Sequence, residues 1–176
     1  YYSSNHEVYF CENYQHRCLR HFYGFLKNSK KDIIGFIDEF MSNGSLDLYV
    51  SSNKEKIDEY FSTIAIARIF QGIDYLHKNS LIHRDIKPSN ILVDHNFLPY
   101  ISDFEKIRPL NDDEMTNDIG SIIYSSPEQQ NGGKIHYSSD IYSFGLIIYY
   151  LLEKKHFEIN KRKKCILPLI NSLKNL

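Results

Sequence analysis

Asp85, Lys87, Asn90 and Asp103 are the residues whose types and spacing could do chemistry together. The first three lie in His83-Arg84-Asp85-Ile86-Lys87-Pro88-Ser89-Asn90, and the fourth opens Asp103-Phe104-Glu105 in the segment ISDFEKIRPL. Transfer of a phosphoryl group to a hydroxyl requires a carboxylate beside the attacking oxygen. It also requires metal ligands at the phosphates and positive charge where negative charge develops. The spacing H-R-D-x-x-x-x-N followed by Asp103 supplies all of these residue types. An H-R-D tripeptide alone would be weak; with Lys87, Asn90 and Asp103 behind it the pattern is specific.

The elements that must position these residues can be read from periodicity and turn chemistry. A short helix is expected within the first fifteen residues, where Val8, Cys11 and Tyr14 recur about a turn apart. LRHFYGFLKN and DIIGFIDEF, separated by the charged turn KNSKKD, predict two antiparallel strands. Asn43-Gly44 marks a turn. From Ile57 to His77, the residues Ile57, Phe61, Ile64, Phe70, Ile73 and Leu76 predict an amphipathic helix. Pro88 then favours loop, and NILVDHNFLPYIS predicts a second small hairpin turning at Asp94 to Asn96. Ser138 and Ser139 offer N-cap hydroxyls to the helix DIYSFGLIIYYLL, whose apolar character on nearly every face predicts burial.

Bulk properties exclude several classes. The chain has 176 residues, 42% apolar and 24% charged, enough to bury a core as an ordinary globular domain. A net charge of −1 gives no electrostatic case for nucleic acid or an anionic membrane as a partner. Cys11, Cys18 and Cys165 are too scattered for a disulfide framework or a zinc site, which points to a reducing interior. The N-terminus lacks a signal-peptide pattern, and the apolar run around Ile141 to Leu152 is too short for a membrane span. The expectation is a soluble, cytoplasmic chain.

The catalytic-type segment resembles the catalytic loop of protein kinases. Four further stretches resemble that family in order: Asp103-Phe104, the activation-loop end GSIIYSSPE with Ser126 in place of Ala, the central helix SSDIYSFG, and the hinge FIDEFMSNGSL. The resemblance covers residues 7 to about 157. It implies an α+β fold, with a small-lobe remnant and hinge over residues 1–41 and a mainly helical large lobe over residues 42–160. Residues 161–176 form an unassigned tail.

The resemblance also implies roles. Asp85 would orient or accept the substrate hydroxyl proton, and Lys87 would sit near the transferred phosphate, as in serine/threonine kinases. Asn90 and Asp103 would hold Mg²⁺. Glu39 to Met41 would offer backbone groups to the adenine of ATP, with Leu92 packing beneath it. His83 and Phe104 would stack behind the site, and Asp140 would brace the loop. Glu7 falls where the family's helix glutamate would be. Arg84 could pair with a phosphorylated residue, Thr116 and Ser121 being the nearest hydroxyls. The acidic run Asp112, Asp113 and Glu114 reads as a solvated loop or as a partial substitute for that phosphate. The basic run KRKK at 161–164 reads as solvated, or as a weak nuclear-localisation signal.

There are departures too. No G-x-G occurs, and no Lys precedes Lys27. The chain is therefore expected to begin inside the helix that carries Glu7 and to lack the last large-lobe helices, where Glu128 would find an Arg. Asp38 falls at the back of the adenine pocket, where a carboxylate is costly unless paired. Glu105 replaces a glycine. The function expected is a protein kinase acting with ATP and Mg²⁺ on Ser/Thr of a protein substrate, the isolated chain being weakly active or inactive. The rival is a non-catalytic kinase-like interaction module.

Overall fold

The computed structural model describes residues 5–110 and 123–158. Its elements in chain order are α1 (Asn5–Asn13), β1 (Phe22–Lys27), β2 (Ile33–Asp38), α2 (Leu46–Ser52) and α3 (Glu59–Lys78). After them come β3 (Leu81–Ile82), β4 (Ile91–Val93), β5 (Pro99–Ile101), β6 (Arg108–Pro109), α4 (Pro127–Gln130) and α5 (Tyr137–Glu153). The arrangement is an α+β fold, with one helix and an antiparallel hairpin next to a mainly helical part. Thr116, Ser121, the acidic run at 112–114 and the basic run at 161–164 lie outside the described residues.

The first hairpin pairs Phe22 with Asp38, Phe25 with Phe36 and Lys27 with Ile33. Its turn is set by Asn28, whose side-chain oxygen accepts the N–H groups of Lys30 and Asp32, both at 2.9 Å. The second hairpin pairs Ile91 with Ile101 and Val93 with Pro99. Buried Asp94 closes it by accepting the N–H groups of Asn96 and Leu98, so its carboxylate is satisfied within the turn.

Helix α3 begins one residue after its cap, Asp58, whose carboxylate accepts the Phe61 N–H at 2.7 Å. Ile57 is buried just ahead of the helix. The buried stripe runs through Phe61, Ala65, Ile69, Ile73 and Leu76. Phe70, expected on that stripe, is instead half-exposed, with its ring 5.9 Å from that of Phe144 on α5 and tilted 32° to it.

Two expectations for α5 are corrected. Its N-cap is His136, and the Ser138 and Ser139 hydroxyls turn to the Glu128 carboxylate at 3.5 and 2.9 Å. The helix starts at Tyr137, ahead of both serines, because His136 is the last extended residue, so the serines fall inside the first turn. The helix is also buried on one side only: Ile147, Tyr150 and Leu151 are enclosed, whereas Ile141 and Leu152 are exposed.

Helix α3 lies close against β5 because position 72 has no side chain. A Cβ on Gly72 would stand 2.7 Å from the Ile101 Cδ1 and 3.4 Å from the Cys18 carbonyl oxygen. Ile101 is fully buried and cannot move without opening the core. Gly72→Val is therefore expected to cost about 1–3 kcal/mol by overpacking. Urea unfolding measures this directly, and an unchanged midpoint would contradict the packing described.

Candidate active site

The site is organised by the buried carboxylate of Asp140 on α5. Its Oδ2 accepts the His83 N–H at 2.9 Å, and its Oδ1 accepts the Arg84 N–H at 3.0 Å. The His77 ring from α3 donates to Oδ2 at 2.9 Å. A buried carboxylate is tolerated only when its lone pairs are met in this way. Pulled onto Asp140, the chain turns sharply, and Arg84 adopts φ 69°, a left-handed conformation uncommon outside glycine. From the other side, the Gln129 amide donates to the Arg84 carbonyl at 2.8 Å.

This turn directs Asp85 outward. Its Oδ2 lies 2.8 Å from the Lys87 ammonium, 3.2 Å from the Asn90 amide nitrogen and 3.9 Å from the Lys106 ammonium. Asn90 also donates to the Asp85 carbonyl at 3.0 Å. With its amide nitrogen facing Asp85, Asn90 keeps its side-chain oxygen on the opposite side, available as a ligand.

Asn90 is also the joint to Asp103. Its carbonyl accepts both the N–H and the hydroxyl of Ser102, at 2.8 and 2.9 Å. The buried His83 ring reinforces this link, donating to the Ser102 carbonyl at 3.2 Å. Asp103 follows in a left-handed conformation, φ 63°, with its side chain exposed. Phe104 is buried with its ring 4.6 Å from Phe10 on α1 and 6.2 Å from His83. Asp85, Lys87, Asn90 and Asp103 are thus brought to one locality.

The other positions singled out in the sequence lie on or beside α1, β2 and β4. The Glu39 N–H donates to the His21 carbonyl at 2.9 Å, and the Met41 carbonyl accepts from Gly44 at 3.1 Å. The Glu39 carbonyl and the Met41 N–H have no partner among the described residues. Leu92, half-buried on β4, faces away from its buried neighbours Ile91 and Val93. Asp38 is paired with Arg20 at 3.0 Å; burial raises its carboxyl pKa and Arg20 draws it partly back. Glu7 is raised as well, first by burial and then by Asp103 and Glu105, with Arg20 opposing.

Arg20, Lys106, Ser102 and Gln129 escape the sequence reading. For Gln129 a signal exists: Ser126-Pro127-Glu128-Gln129 is a capping box, and both of its reciprocal bonds form. Among the described residues no group of three or more His, Cys, Asp or Glu could hold a metal. Two protein oxygens with the rest of the shell left to phosphate and water suit Mg²⁺, and Asn90 with Asp103 fits that pattern.

The protein kinase domain family matches residues 2–172 of this sequence. This chain belongs to the protein kinase family. It is similar to the PR5-like receptor kinase of Arabidopsis thaliana, 37% identical over 77% of this chain and 22% of that protein. It is also similar to cysteine-rich receptor-like protein kinase 45 of Arabidopsis thaliana, 32% identical over 86% of the chain and 45% of that kinase. Mitogen-activated protein kinase kinase 1c of Physcomitrium patens is 36% identical over 72% of the chain and 36% of its own length. The chain thus spans less than half the length of these curated relatives. Among the described residues of the kinase chain no helix is long and apolar enough to cross a membrane.

The raised Glu7 carboxyl has a consequence for stability. Its folded pKa lies above the ordinary value of 4.5, so the folded state binds more protons and stability falls as pH rises through that window. Glu7→Gln should flatten this fall and leave the protein at least as stable near neutrality. Thermal melts across pH 4 to 8, taken as about the span of a carboxyl titration, check it. An unaltered pH profile would contradict the assignment.

Proposed function

We propose that this chain is the catalytic part of a kinase that transfers the γ-phosphoryl group of ATP to Ser or Thr hydroxyls of a protein. The observation that carries the reading is the convergence on Asp85: an outward carboxylate 2.8 Å from Lys87 and bonded to Asn90, which is joined through Ser102 to Asp103. In this reading the acceptor hydroxyl oxygen attacks the γ-phosphorus, ADP leaves, and Asp85 orients the hydroxyl and receives its proton. Lys87 sits between Asp85 and the transferred group, where its charge offsets the developing negative charge. That placement of Lys87 supports Ser/Thr over Tyr. Among the relatives, the Arabidopsis thaliana protein At4g11900 is named a serine/threonine-protein kinase.

Asn90 and Asp103 would hold Mg²⁺, which when bound neutralises phosphate charge. The unpartnered Glu39 carbonyl and Met41 N–H suit the donor and acceptor of an adenine edge, with Leu92 beneath the ring. Phe104, held between Phe10 and His83, positions the segment bearing Asp103. Buried Cys11 and Cys18 are free thiols, and burial pushes Cys11 up to about 12.

The test is transfer of labelled γ-phosphate from Mg²⁺–ATP to Ser-, Thr- and Tyr-containing peptides. Label is expected on Ser and Thr, slowly for the 176 residues alone. Asp85→Asn should lower kcat by about 100-fold or more, the usual reach of a general base, with KM for ATP little changed. Transfer insensitive to Asp85→Asn would overturn the reading. Nucleotide binding with no transfer would favour a non-catalytic kinase-like module.

A further inference from the structure

A cavity of about 120 Å³ opens beside Lys87, lined also by Asp47, Ser89, Ile123, Tyr124 and His156. It adjoins the proposed reaction centre, because the Lys87 ammonium that borders it also reaches Asp85. Its far wall is a hydrogen-bonded relay between the starts and ends of distant elements. The Tyr124 hydroxyl meets His156 Nδ1 at 2.9 Å, and His156 Nε2 meets Asp47 Oδ1 at 3.1 Å. The Tyr150 hydroxyl of α5 donates to the same Asp47 Oδ1 at 3.0 Å.

The atoms this relay uses decide what the cavity can hold. The His156 ring bridges the Tyr124 hydroxyl at Nδ1 and Asp47 Oδ1 at Nε2. Burial raises the pKa of both Tyr124 and Tyr150, so both phenols stay protonated. The relay therefore occupies one oxygen of Asp47. Tyr150 and His156 both reach Oδ1, and Oδ2 has no partner among the described residues. The Lys87 charge is already engaged by Asp85. Asp47 is 41% exposed at its side chain, so a ligand group can reach it.

We propose that this cavity is a subsite for a basic side chain, Lys or Arg, of the peptide substrate, with Asp47 Oδ2 as its acceptor. This rests on the kinase reading above. The volume suits the end of one long side chain. The shared wall at Lys87 places that side chain within a few residues of the acceptor hydroxyl. Asp47 and His156 are then the residues that set specificity, with Tyr124 and Tyr150 positioning them.

The test uses fluorescently tagged Ser-centred peptides in which Arg, Ala or Glu is moved along the flanking positions. Binding to the full chain is read by anisotropy. At one flanking position Arg should bind about fivefold more tightly than Ala, the scale of a partly exposed ion pair. Asp47→Asn, which keeps the shape, should abolish that preference, and Asp47→Lys should transfer it to Glu. Equal binding of all peptides, no binding, or an Arg preference that survives Asp47→Asn would each overturn the proposal. Phosphoryl transfer to the same peptides separates the two readings. Arg preference without transfer counts against the kinase reading and keeps the subsite; transfer without preference removes the subsite alone.

Discussion

The rest of the site depends on one buried charge. Asp140 is 1% exposed, and its carboxylate would be strongly destabilising there without donors. Three groups supply them: the His77 ring from α3 and the backbone N–H groups of His83 and Arg84. Because two of these are main-chain donors next to each other, satisfying the charge also dictates the path of the chain. The left-handed Arg84 is the visible result, a conformation costing on the order of 1–3 kcal/mol that persists only where its surroundings impose it.

From that turn the geometry propagates by short, specific links. His83 points its ring inward to Ser102, Asp85 points outward to Lys87, and Asn90 ties the two sides by holding Asp85 with its amide and Ser102 with its carbonyl. Asp103 inherits its place from Ser102 and its second left-handed turn from the packing of Phe104 against Phe10. The Glu105 side chain points into solvent, so the residue in place of a glycine does not crowd the links between Asn90 and Asp103. Its carbonyl instead accepts from Arg108 at 2.8 Å.

Much of this was legible in the sequence, for reasons that differ by element. Helix α3 and both hairpins carry strong periodicity and turn chemistry, and each forms where expected. Helix α2 was missed although Ser45 caps it and Leu46, Tyr49 and Val50 recur at helical spacing. Its brevity hides that pattern. The two-residue strands β3 and β6 have no period to read; they exist because Leu81 and Ile82 meet Pro109 and Arg108 in space. The α5 cap failed because the helix starts at Tyr137, ahead of both serines, with His136 extended at its N-cap. In the site, residue types and spacing named Asp85, Lys87, Asn90 and Asp103. The pairing of Asp38 with Arg20 and the approach of Lys106 to Asp85 are purely tertiary.

The most direct measurement of this account is amide hydrogen exchange at His83 and Arg84 in the wild type and in Asp140→Asn. Asparagine keeps the volume but replaces one acceptor oxygen with a donor. The account predicts that the amide left facing the Asn NH2 group loses most of its protection, and that buried α3 amides such as those of Ile73 and Leu76 keep theirs. Protection at His83 and Arg84 unchanged by the substitution would contradict the claim that this carboxylate shapes the site.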